Sequence, residues 1–361
     1  MSRVVIAGGG TGGHIYPGLA VARVLQKQGH DVQWVGAVGG LEEKIVVREN
    51  LPLHLIRIGK LHHSVGLWVR LKTLFGFPIA FFQALRLVWS LKPDAVLGIG
   101  GFASGPFLFV ASLLGCRTVI WEPNAHAGLA NRVLSRWVDV CLLVFDEAAS
   151  GLKGRKTYRV GLPVRTSMLP ATREPLGGRN FRILVFGGSQ GARAINKVVS
   201  QWVQSDLWPD DVELLHQTGS LDFKEVQKTY EALHSTGQRL KVQCAEYLHD
   251  MDARYAWADV VLCRAGASTV AEIAACGKAA IFIPLPTAAD DHQMKNASVL
   301  ERAGASIVIE QKSFSVETLL KEIQRLKSQP ELVVQLESSV RHFATSGSAE
   351  TIASHVLETP V

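Results

Sequence analysis

The most constraining feature of this sequence is a pattern that occurs twice: an apolar run, a glycine-rich turn and a stretch with helical spacing. The first copy is RVVIAGGGTGGHIYPGLAVARVLQKQG, residues 3–29, and the second is FRILVFGGSQGARAINKVVSQWV, residues 181–203. Near-continuous apolar runs are typical of strands buried on both faces of a parallel sheet. Each copy therefore predicts the first strand and first helix of a doubly wound α/β domain.

Further apolar runs extend this alternation of strand and helix through both halves. Residues 18–28 have apolar residues at helical spacing, with Pro17 in the first helical turn and Gly29 positioned to end the helix. The predicted strands are 3–7, 32–35, 95–99, 118–121 and 140–144 in the first half, and 181–186, 212–216, 241–244, 260–263, 280–283 and 306–309 in the second.

Length and composition agree with two domains, each large enough to have its own core. The chain has 361 residues, of which 47% are hydrophobic and 19% charged, so wholesale disorder is excluded. A segment rich in proline, glycine and charge indicates a linker between the halves. We predict an N-terminal domain over 1–162, the linker over 163–180, a C-terminal domain over 181–340 and a helical tail over 341–361.

Charge and cysteine usage narrow the classes of function. The net charge of +6 favours an anionic partner, but it is too small to separate nucleic acid, anionic lipid and a phosphorylated ligand. The five cysteines are odd in number and no pair has CxxC spacing. This pattern favours reduced, buried thiols in the cytosol over a disulfide framework or a zinc site.

The first glycine turn has the spacing Gly8-x-Gly10-x-x-Gly13 of a dinucleotide-binding turn. A nicotinamide site also needs an acidic residue at the end of the second strand, and this strand ends in glycine and alanine, with Asp31 at its other end. The NAD interpretation is therefore disfavoured. Two glycine turns at helix N-termini suit a phosphorylated donor and a phosphorylated acceptor. The simpler alternative is that the glycines only allow tight turns.

A denser polar cluster follows two strands of the second half, in LCRAGASTVAEIAACGKAAIFIPLPTAADDHQMKNA. Glu272 lies in a helix that begins at the carboxyl end of a strand, where a carboxylate can accept from both hydroxyls of a ribose. Gln293 offers a donor and an acceptor to sugar hydroxyls. An equally good alternative for the first site is a capping box, Thr269-x-x-Glu272, in which the carboxylate only satisfies backbone amides.

Several motifs, in this order, closely resemble the bacterial N-acetylglucosaminyltransferases that convert lipid I to lipid II in peptidoglycan synthesis. They are GGGTGGHIYPGLAVA, GGFASGP, EPNAHAGLANR, GLPVR, GGSQGA and YLHDM…YAWADVVLCRAGASTVAEIAACGKAAIFIPLP…DDHQMKNA. The resemblance covers residues 3 to about 310. It implies the GT-B architecture, which has two Rossmann-like domains facing across a cleft, and a tail helix that crosses back to the N-terminal domain.

The resemblance also implies an activity: inverting transfer of N-acetylglucosamine from UDP-N-acetylglucosamine to the 4-hydroxyl of the muramic acid of lipid I. Such an enzyme serves cell wall biogenesis, and through it cell shape and cell division. The implied donor-binding residues are Thr11, Gly12, Gly13, Asn124, Arg165, Ser189, Leu248, Ala267, Ser268, Thr269, Val270, Ala271, Glu272 and Gln293. The implied acceptor-side residues are Gly100, Gly101 and Ser104.

Inverting transfer needs a base for the acceptor proton and positive potential on the leaving diphosphate. His14 is the candidate base, because a neutral imidazole accepts a proton at cytosolic pH; the alternatives are packing against the turn or binding acceptor phosphate. Asp250-Met251-Asp252 formally fits a metal-binding pattern but precedes a helix, where acids favour the N-terminus. We expect no metal held by the protein, and instead the Ser189 turn and Arg165 on the diphosphate.

The segment 61–92 combines aromatic and aliphatic residues with arginine and lysine. Its uncharged part, 73–85, is shorter than the roughly 20 residues that a spanning helix needs. We expect one face to dock on an anionic membrane, since basic residues and apolar side chains both contribute there. The alternative is a helix pair packed on the sheet. The predicted location is the cytoplasmic face of the cell membrane, with no nucleic-acid partner.

Two other classes of function remain open. A UDP-N-acetylglucosamine 2-epimerase has the same architecture and donor but does not need an apolar and basic surface. A non-catalytic sugar-nucleotide or lipid-binding subunit would not need His14 beside a complete donor cluster. Where some members of the family have two glutamines, this chain has His292-Gln293, which leaves the first glutamine's sugar contact open.

Overall fold

The computed structural model divides the chain into two compact units, residues 1–163 with 345–361, and residues 164–344. Each unit is built on one sheet in which every pair of neighbouring strands is parallel. The structure describes residues 1–58, 67–153, 156–165, 167–168, 170, 178–188, 190–235 and 241–358, with the backbone alone for 67–77.

The sheet of the first unit has seven strands: β1 (Arg3–Ala7), β2 (Asp31–Ala37), β3 (Leu53–Ile56), β4 (Ala95–Gly98), β5 (Arg117–Glu122), β6 (Val140–Leu143) and β7 (Thr157–Arg159). Their order is β3-β2-β1-β4-β5-β6-β7. After β3 the chain crosses to the other side of β1, where β4 lies. The point at which the strand order reverses is therefore beside β1, and ligands of such sheets bind at this switch point.

The sheet of the second unit has six strands: β8 (Phe181–Phe186), β9 (Val212–Gln217), β10 (Lys241–Ala245), β11 (Val260–Cys263), β12 (Ala279–Phe282) and β13 (Ile307–Val308). Their order is β10-β9-β8-β11-β12-β13. The central strands β11 and β12 are buried along their whole length, as their continuous apolar sequence predicts.

Helices connect the strands in both units. The first unit contains α1 (Gly12–Lys27), α2 (Glu42–Arg48), α3 (Leu67–Leu91), α4 (Ser104–Leu113) and α5 (Leu129–Leu134). The second contains α6 (Arg193–Val203), α7 (Phe223–Ser235), α8 (Met251–Trp257), α9 (Ala267–Cys276), α10 (His292–Arg302), α11 (Val316–Ser328) and α12 (Pro330–Arg341), and the last helix of the chain is α13 (Ser348–Leu357).

Helix α13 belongs to the first unit, where it packs against α1. The buried guanidinium of Arg117, at the start of β5, donates to the backbone carbonyl of His355 at 2.7 and 3.1 Å. A cation beside the last carbonyls of a helix satisfies acceptors that have no partner within the helix. This contact ties the end of the chain to the sheet of the first unit.

The strand predictions agree with the structure to within about two residues, but two strands and the start of α1 were not predicted. The helix begins at Gly12 instead of residue 18, so Pro17 lies in its second turn and the prediction of the first turn was wrong. Glycine and histidine give no apolar period, so this turn could not be recognised by spacing. Strands β3 and β7 are short edge strands, and all three residues of β7 are exposed.

Candidate functional site

The first glycine turn follows β1 and leads into α1. Much of its backbone is already used inside the protein: Gly9 N–H donates to Gly100 O at 3.2 Å, and Gly10 N–H donates to Glu42 Oε2 at 2.9 Å. A phosphate that binds at this turn would therefore use the amides from Thr11 onward, at the N-terminus of α1.

Glu42 is a site residue that the sequence analysis missed. It opens α2, and its carboxylate is 1% exposed and accepts from Ala37 N–H at 2.8 Å as well as from Gly10 N–H. The sequence signal was an acid five residues beyond β2. A nicotinamide site needs an acidic residue at the end of that strand, where it binds ribose. Glu42 lies beyond that position and faces the glycine turn instead.

His14 lies in the first turn of α1 with its ring half-buried. Its Nδ1 is 3.2 Å from Gly9 O and 3.4 Å from the hydroxyl of Thr11. The other ring nitrogen, Nε2, is on the side of Gly100, where a Cβ would come within 3.3 Å of it. The geometry favours a proton on Nδ1 and therefore an accepting lone pair on Nε2.

The turn after β4 lies beside the first glycine turn. Gly100 and Gly101 both have positive φ, at 90° and 86°, and a Cβ at Gly101 would come within 2.6 Å of Gly9 O. The two turns are thus in direct backbone contact. Ser104, predicted on the acceptor side, has a fully buried hydroxyl that donates to Gly101 O at 2.9 Å. Its acceptor-side role stays a prediction.

A buried carboxylate organises the loop after β5. Glu122 Oε1 accepts from both the backbone N–H and the side-chain amide of Asn124, at 3.0 and 3.1 Å. Its Oε2 accepts from Gly128 N–H and from Asn131 Nδ2, both at 2.9 Å. Glu122 and Asn131 were not assigned from the sequence, and together they fix the position of Asn124 in the first unit.

In the second unit, the capping-box interpretation of Glu272 is wrong. Helix α9 begins at Ala267 after an N-cap at Gly266, so Thr269 lies inside the helix, and no side-chain cap is formed there. Glu272 Oε2 instead accepts from the buried hydroxyl of Tyr255 at 3.0 Å. The carboxylate is half-buried and is held from a neighbouring helix rather than by its own.

Electrostatics around Glu272 fit a ligand-binding carboxyl. Desolvation raises the pKa of Glu272, while the Tyr255 hydroxyl and the charge of Arg165 oppose that shift. Burial raises the pKa of Tyr255 well above its usual value, so this hydroxyl remains a donor. A carboxylate kept in a partly dry site gains more from a polar ligand than one in water does.

The second glycine turn is connected to the segment that contains Leu248. Gln217, at the end of β9, donates through Nε2 to Gly188 O at 3.0 Å and accepts from Leu248 N–H at 3.2 Å. Gln217, which was not assigned from the sequence, thus connects the second glycine turn with Leu248, a predicted donor contact. Ser189, predicted at the same turn, lies outside the described residues.

Gln293 and His292 form the first turn of α10. The side-chain oxygen of Gln293 accepts from Leu285 N–H at 3.0 Å, which turns its amide nitrogen outward as a donor. His292 Nδ1 is 2.8 Å from Ala289 O. Gln293 is therefore oriented by the proline-containing loop after β12.

The Asp250-Met251-Asp252 pattern has a local explanation. Asp250 precedes α8 and pairs with Arg254 one turn later, at 2.7 Å, and this hydrogen bond lowers the pKa of its carboxyl. Among the described residues, no group of three or more histidine, cysteine or acidic side chains could hold a metal ion. The expectation of transfer without a protein-bound metal stays a prediction.

Within the segment predicted to dock on a membrane, Leu67–Leu91 forms the single helix α3, with Pro78 inside it, so the alternative of a helix pair is wrong for this part. Residues 61–66 lie outside the described residues. Ala80, Ala84 and Val88 are buried at a spacing of four. The opposite face presents an exposed stripe of apolar and basic side chains. We call this the α3 stripe, and its described members are Ile79, Phe82, Arg86 and Trp89.

Aromatic contacts connect the α3 stripe to the next elements of the first unit. Phe82 contacts Phe81 with ring centroids 5.9 Å apart, Phe81 contacts Phe109 of α4 at 6.4 Å, and Phe109 contacts the exposed Trp137 at 5.2 Å. Within the part of the chain that the structure describes, no helix is long and apolar enough to cross a membrane.

Family models match most of the chain. The glycosyltransferase family 28 N-terminal domain matches residues 4–142, and the C-terminal domain of the same family matches residues 182–352. The chain belongs to glycosyltransferase family 28. The membership that the sequence motifs indicate is thereby confirmed, and the nicotinamide interpretation is set aside.

Curated relatives in family 28 extend the similarity over the full length. The chain is 45% identical to a Bdellovibrio bacteriovorus protein over 98% of both chains, and 38% identical to one from Myxococcus xanthus over 98% of this chain and 92% of the other. Both are named UDP-N-acetylglucosamine--N-acetylmuramyl-(pentapeptide) pyrophosphoryl-undecaprenol N-acetylglucosamine transferase.

A solved structure agrees with the predicted fold of this family 28 chain. The crystal structure of Acinetobacter baumannii MurG matches with a TM-score of 0.83 and 30% identity, covering 99% of this chain and all of that one. The predicted GT-B fold with two Rossmann-like domains is confirmed. Epimerase structures also match, at TM-scores near 0.66 and identities of 15% or less, and that likeness concerns the fold alone.

The family 28 fold brings some of the predicted residues together, in one group in each unit. In the first unit, Thr11, Gly12, Gly13 and His14 lie beside Gly100 and Gly101. In the second unit, α9 contains the run from Ala267 to Glu272, and the charge of Arg165 opposes the rise in the pKa of the Glu272 carboxyl. Four other side chains form hydrogen bonds to the predicted site segments: Glu42, Glu122, Gln217 and Tyr255.

Proposed function

We propose that this chain transfers N-acetylglucosamine from UDP-N-acetylglucosamine to the 4-hydroxyl of the muramic acid of lipid I, releasing UDP and forming lipid II. The observation that carries the proposal is the 45% identity, over 98% of both chains, to a relative named for that transfer. The site supports it, because the second unit has a partly dry carboxylate suited to a ribose and the first has an oriented histidine.

The donor nucleotide binds on the second unit. Both ribose hydroxyls donate to Glu272, whose other partner, Tyr255, already occupies one oxygen. The backbone of Leu248 reads the uracil, and its N–H exchanges its present acceptor, Gln217 Oε1, for a uracil carbonyl. Gln293 donates from its outward amide nitrogen to a hydroxyl of the transferred sugar, since its oxygen is held by Leu285 N–H.

The leaving diphosphate is stabilised by the protein without a metal ligand. It lies at the N-terminus of α6, after the turn that contains Ser189, where backbone amides and the helix dipole favour negative charge. Arg165 is exposed and near enough to act on Glu272, so a diphosphate attached to the ribose comes within its reach. These groups replace the cation that other sugar transferases use.

The transfer is a single displacement at C1 of the sugar. The acceptor oxygen O4 forms a bond to C1 as the bond from C1 to the diphosphate oxygen breaks, and the diphosphate keeps the electron pair. His14 Nε2 takes the proton from O4 as general base. Asn124, fixed by Glu122, lies near the transferred sugar, and Gly100 with Gly101 form the acceptor side beside His14.

The α3 stripe docks on the cytoplasmic face of the cell membrane, where the polyprenyl chain of the acceptor is anchored. Phe82 and Trp89 are 66% and 63% exposed, an unusual state for such large apolar side chains, and Arg86 lies between them. Aromatic and aliphatic side chains enter the interface while arginine contacts anionic headgroups. Peripheral attachment follows, with no nucleic acid as partner.

We expect UDP affinity to fall as the pH is lowered through the weakly acidic range. Only the ionised carboxylate of Glu272 accepts from both ribose hydroxyls, and the raised pKa means that ionisation is lost at a higher pH than for an ordinary glutamate. Isothermal titration calorimetry with UDP from pH 5 to pH 8 measures this. In Glu272→Gln the pH dependence should shrink to the part that comes from the UDP phosphate, whose second pKa is about 6, and a pH dependence equal to that of the native protein would refute the assignment.

Phe82→Ser should weaken binding to vesicles that contain phosphatidylglycerol by about tenfold, since burying a phenylalanine side chain contributes roughly 1.5–3 kcal/mol. Co-sedimentation at low and high salt is the measurement. Leu221→Ser is the matched control, because that leucine is 84% exposed in the second unit, outside the α3 stripe. Equal losses in the two variants, or no effect of salt, would remove the stripe as the docking surface.

The proposed function is tested by following UDP release with and without lipid I. A transferase of this kind releases UDP rapidly only when lipid I is present. The epimerase alternative predicts release or epimerised sugar without any acceptor, and a non-catalytic subunit predicts no turnover in either case. Either of the last two results would replace the proposal.

A further inference from the structure

One peptide unit lies between Glu42 and His14. The N–H of this unit, on Gly10, donates to Glu42 Oε2 at 2.9 Å, and its carbonyl, on Gly9, is 3.2 Å from His14 Nδ1. We propose that Glu42 is a positioning residue for the base: through the Gly9–Gly10 peptide it holds the His14 proton on Nδ1 and stabilises the imidazolium formed in the reaction. This inference rests on the proposed role of His14 as the base.

Glu42 is built into the turn rather than resting on it. Both of its oxygens accept from backbone N–H groups, Oε1 from Ala37 and Oε2 from Gly10, and the side chain is 1% exposed. Two donors on a buried carboxyl group, one on each oxygen, are met by an ionised carboxylate, which is acceptor-only. A negative charge is therefore fixed beneath the turn.

Glycines make room for this carboxylate. A Cβ at Gly9, Gly36 or Gly40 would come within 2.3 to 2.5 Å of side-chain atoms of Glu42. Gly9 and Gly40 would overlap its carboxyl group itself. These glycines come from three stretches: the first turn, the end of β2 and the loop before α2. The buried side chain of Glu42 thus accounts for Gly36 and Gly40, neither of which has a positive φ.

The effect of Glu42 on His14 follows because the N–H and the carbonyl of one peptide unit are electronically coupled. A carboxylate that accepts from the N–H draws positive charge there and leaves more negative charge on the carbonyl oxygen of the same peptide. That oxygen then attracts the Nδ1–H of His14 more strongly, which favours the tautomer with its lone pair on Nε2. When Nε2 takes the acceptor proton, the imidazolium is stabilised by the same carbonyl, and Glu42 itself gains no proton.

The arrangement resembles the carboxylate–histidine pair of hydrolytic triads in its effect, with a peptide inserted between the two groups. The Thr11 hydroxyl, 3.4 Å from Nδ1, is the weaker competing partner because it is farther away than Gly9 O. Without the carboxylate the two ring tautomers become closer in energy. Only one of them can act as the base.

The kinetic test is Glu42→Gln, which keeps the size of the side chain and removes its charge. We expect kcat to fall on the order of 10- to 100-fold, the usual cost of removing the partner that orients a functional histidine, with KM for both substrates little changed. Glu43→Gln is the matched control, since the neighbouring carboxylate accepts from Gly39 N–H at 2.6 Å, whereas Gly10 N–H donates to Glu42. A rise in KM with kcat intact would mean that Glu42 only shapes the turn, and would overturn the inference.

A second measurement reads the ring tautomer in the native protein directly, with variants used only for assignment and comparison. Nitrogen-15 NMR of the unliganded protein labelled at histidine, with His14 assigned from the spectrum of His14→Gln, reports which ring nitrogen carries the proton. We expect Nδ1–H in the native protein and a mixture of tautomers in Glu42→Gln. An Nε2–H tautomer in the native protein, or an unchanged tautomer in Glu42→Gln, would refute the relay.

The two proposals can fail separately. If His14→Ala keeps its kcat, the role of His14 as base is lost and the relay with it. If His14→Ala is inactive but Glu42→Gln has native kcat and the native tautomer, the base stands and only the relay is refuted. In the background of His14→Ala, the substitution Glu42→Gln should cause no further loss of the residual rate.

Discussion

His14→Ala is expected to lower kcat by about 10²–10⁴-fold, the range lost when a general base is removed. The reason is local: Gly9 O lies 3.2 Å from Nδ1, which favours a proton there and therefore a basic lone pair on Nε2. Steady-state kinetics with saturating UDP-N-acetylglucosamine and lipid I measure the effect. UDP affinity should not change, because the nucleotide contacts proposed above belong to the second unit.

The control for this prediction is His342→Ala. His342 is an exposed histidine directly after α12, in the second unit, and its Nδ1 is 3.3 Å from the carbonyl oxygen of Ser339. Its replacement should leave kcat unchanged. A His14→Ala enzyme that keeps its kcat but binds lipid I poorly would instead make this histidine a ligand of the acceptor phosphate.

Glu272→Gln is expected to weaken UDP binding roughly 10- to 100-fold. A hydrogen bond to a charged group contributes about 1.5–3 kcal/mol, and about 1.4 kcal/mol corresponds to a factor of ten in affinity. The glutamine keeps an acceptor for Tyr255 but no longer offers charge to two ribose hydroxyls. Calorimetry with UDP measures the loss, and Glu301→Gln, an exposed carboxylate on α10, is the matched control.

The same substitution should not destabilise the unliganded protein. A carboxyl whose pKa is raised on folding contributes stability that is present below its unfolded pKa and lost as the pH rises through its folded pKa. Once ionised, Glu272 therefore costs stability in the absence of ligand, and glutamine removes that cost. A melting temperature that falls in Glu272→Gln would indicate a structural carboxylate and contradict the ribose role.

The interior strands and the repeated strand–turn–helix units could be predicted because their signal is local. β1, β11 and the centres of both sheets are continuous apolar runs, and such runs are recognisable without knowing their neighbours. β3 and β7 lie at the two edges of the first sheet, where the described part of the chain pairs the strand on one side only. Short strands with exposed or charged residues give no such run.

The residues that hold the site could not be predicted, because their contacts span long distances in the chain. Glu42 meets Gly10 across 32 positions, Gln217 meets Leu248 across 31 and Tyr255 meets Glu272 across 17. The spacing of residues in a sequence reflects only contacts between neighbours within one helix or strand. Spacing indicated Glu272 but could not separate a ribose contact from a capping box until the start of α9 was known.

The motif-based resemblance predicts what spacing could not, namely an order of donor and acceptor contacts along the chain. It does not predict their orientation. The structure adds that Ser104 has its hydroxyl inside the protein, that Gln293 presents a donor, and that Gly9 and Gly10 have their amides already committed. These three facts restrict which atoms remain to contact a sugar or a phosphate.

The most direct test is the structure of the product made from purified lipid I and UDP-N-acetylglucosamine. Mass spectrometry and proton NMR should show one N-acetylglucosamine added to the 4-hydroxyl of the muramic acid, with β configuration at the new linkage. Unmodified lipid I, together with a UDP-sugar epimerised at C2, would contradict the account.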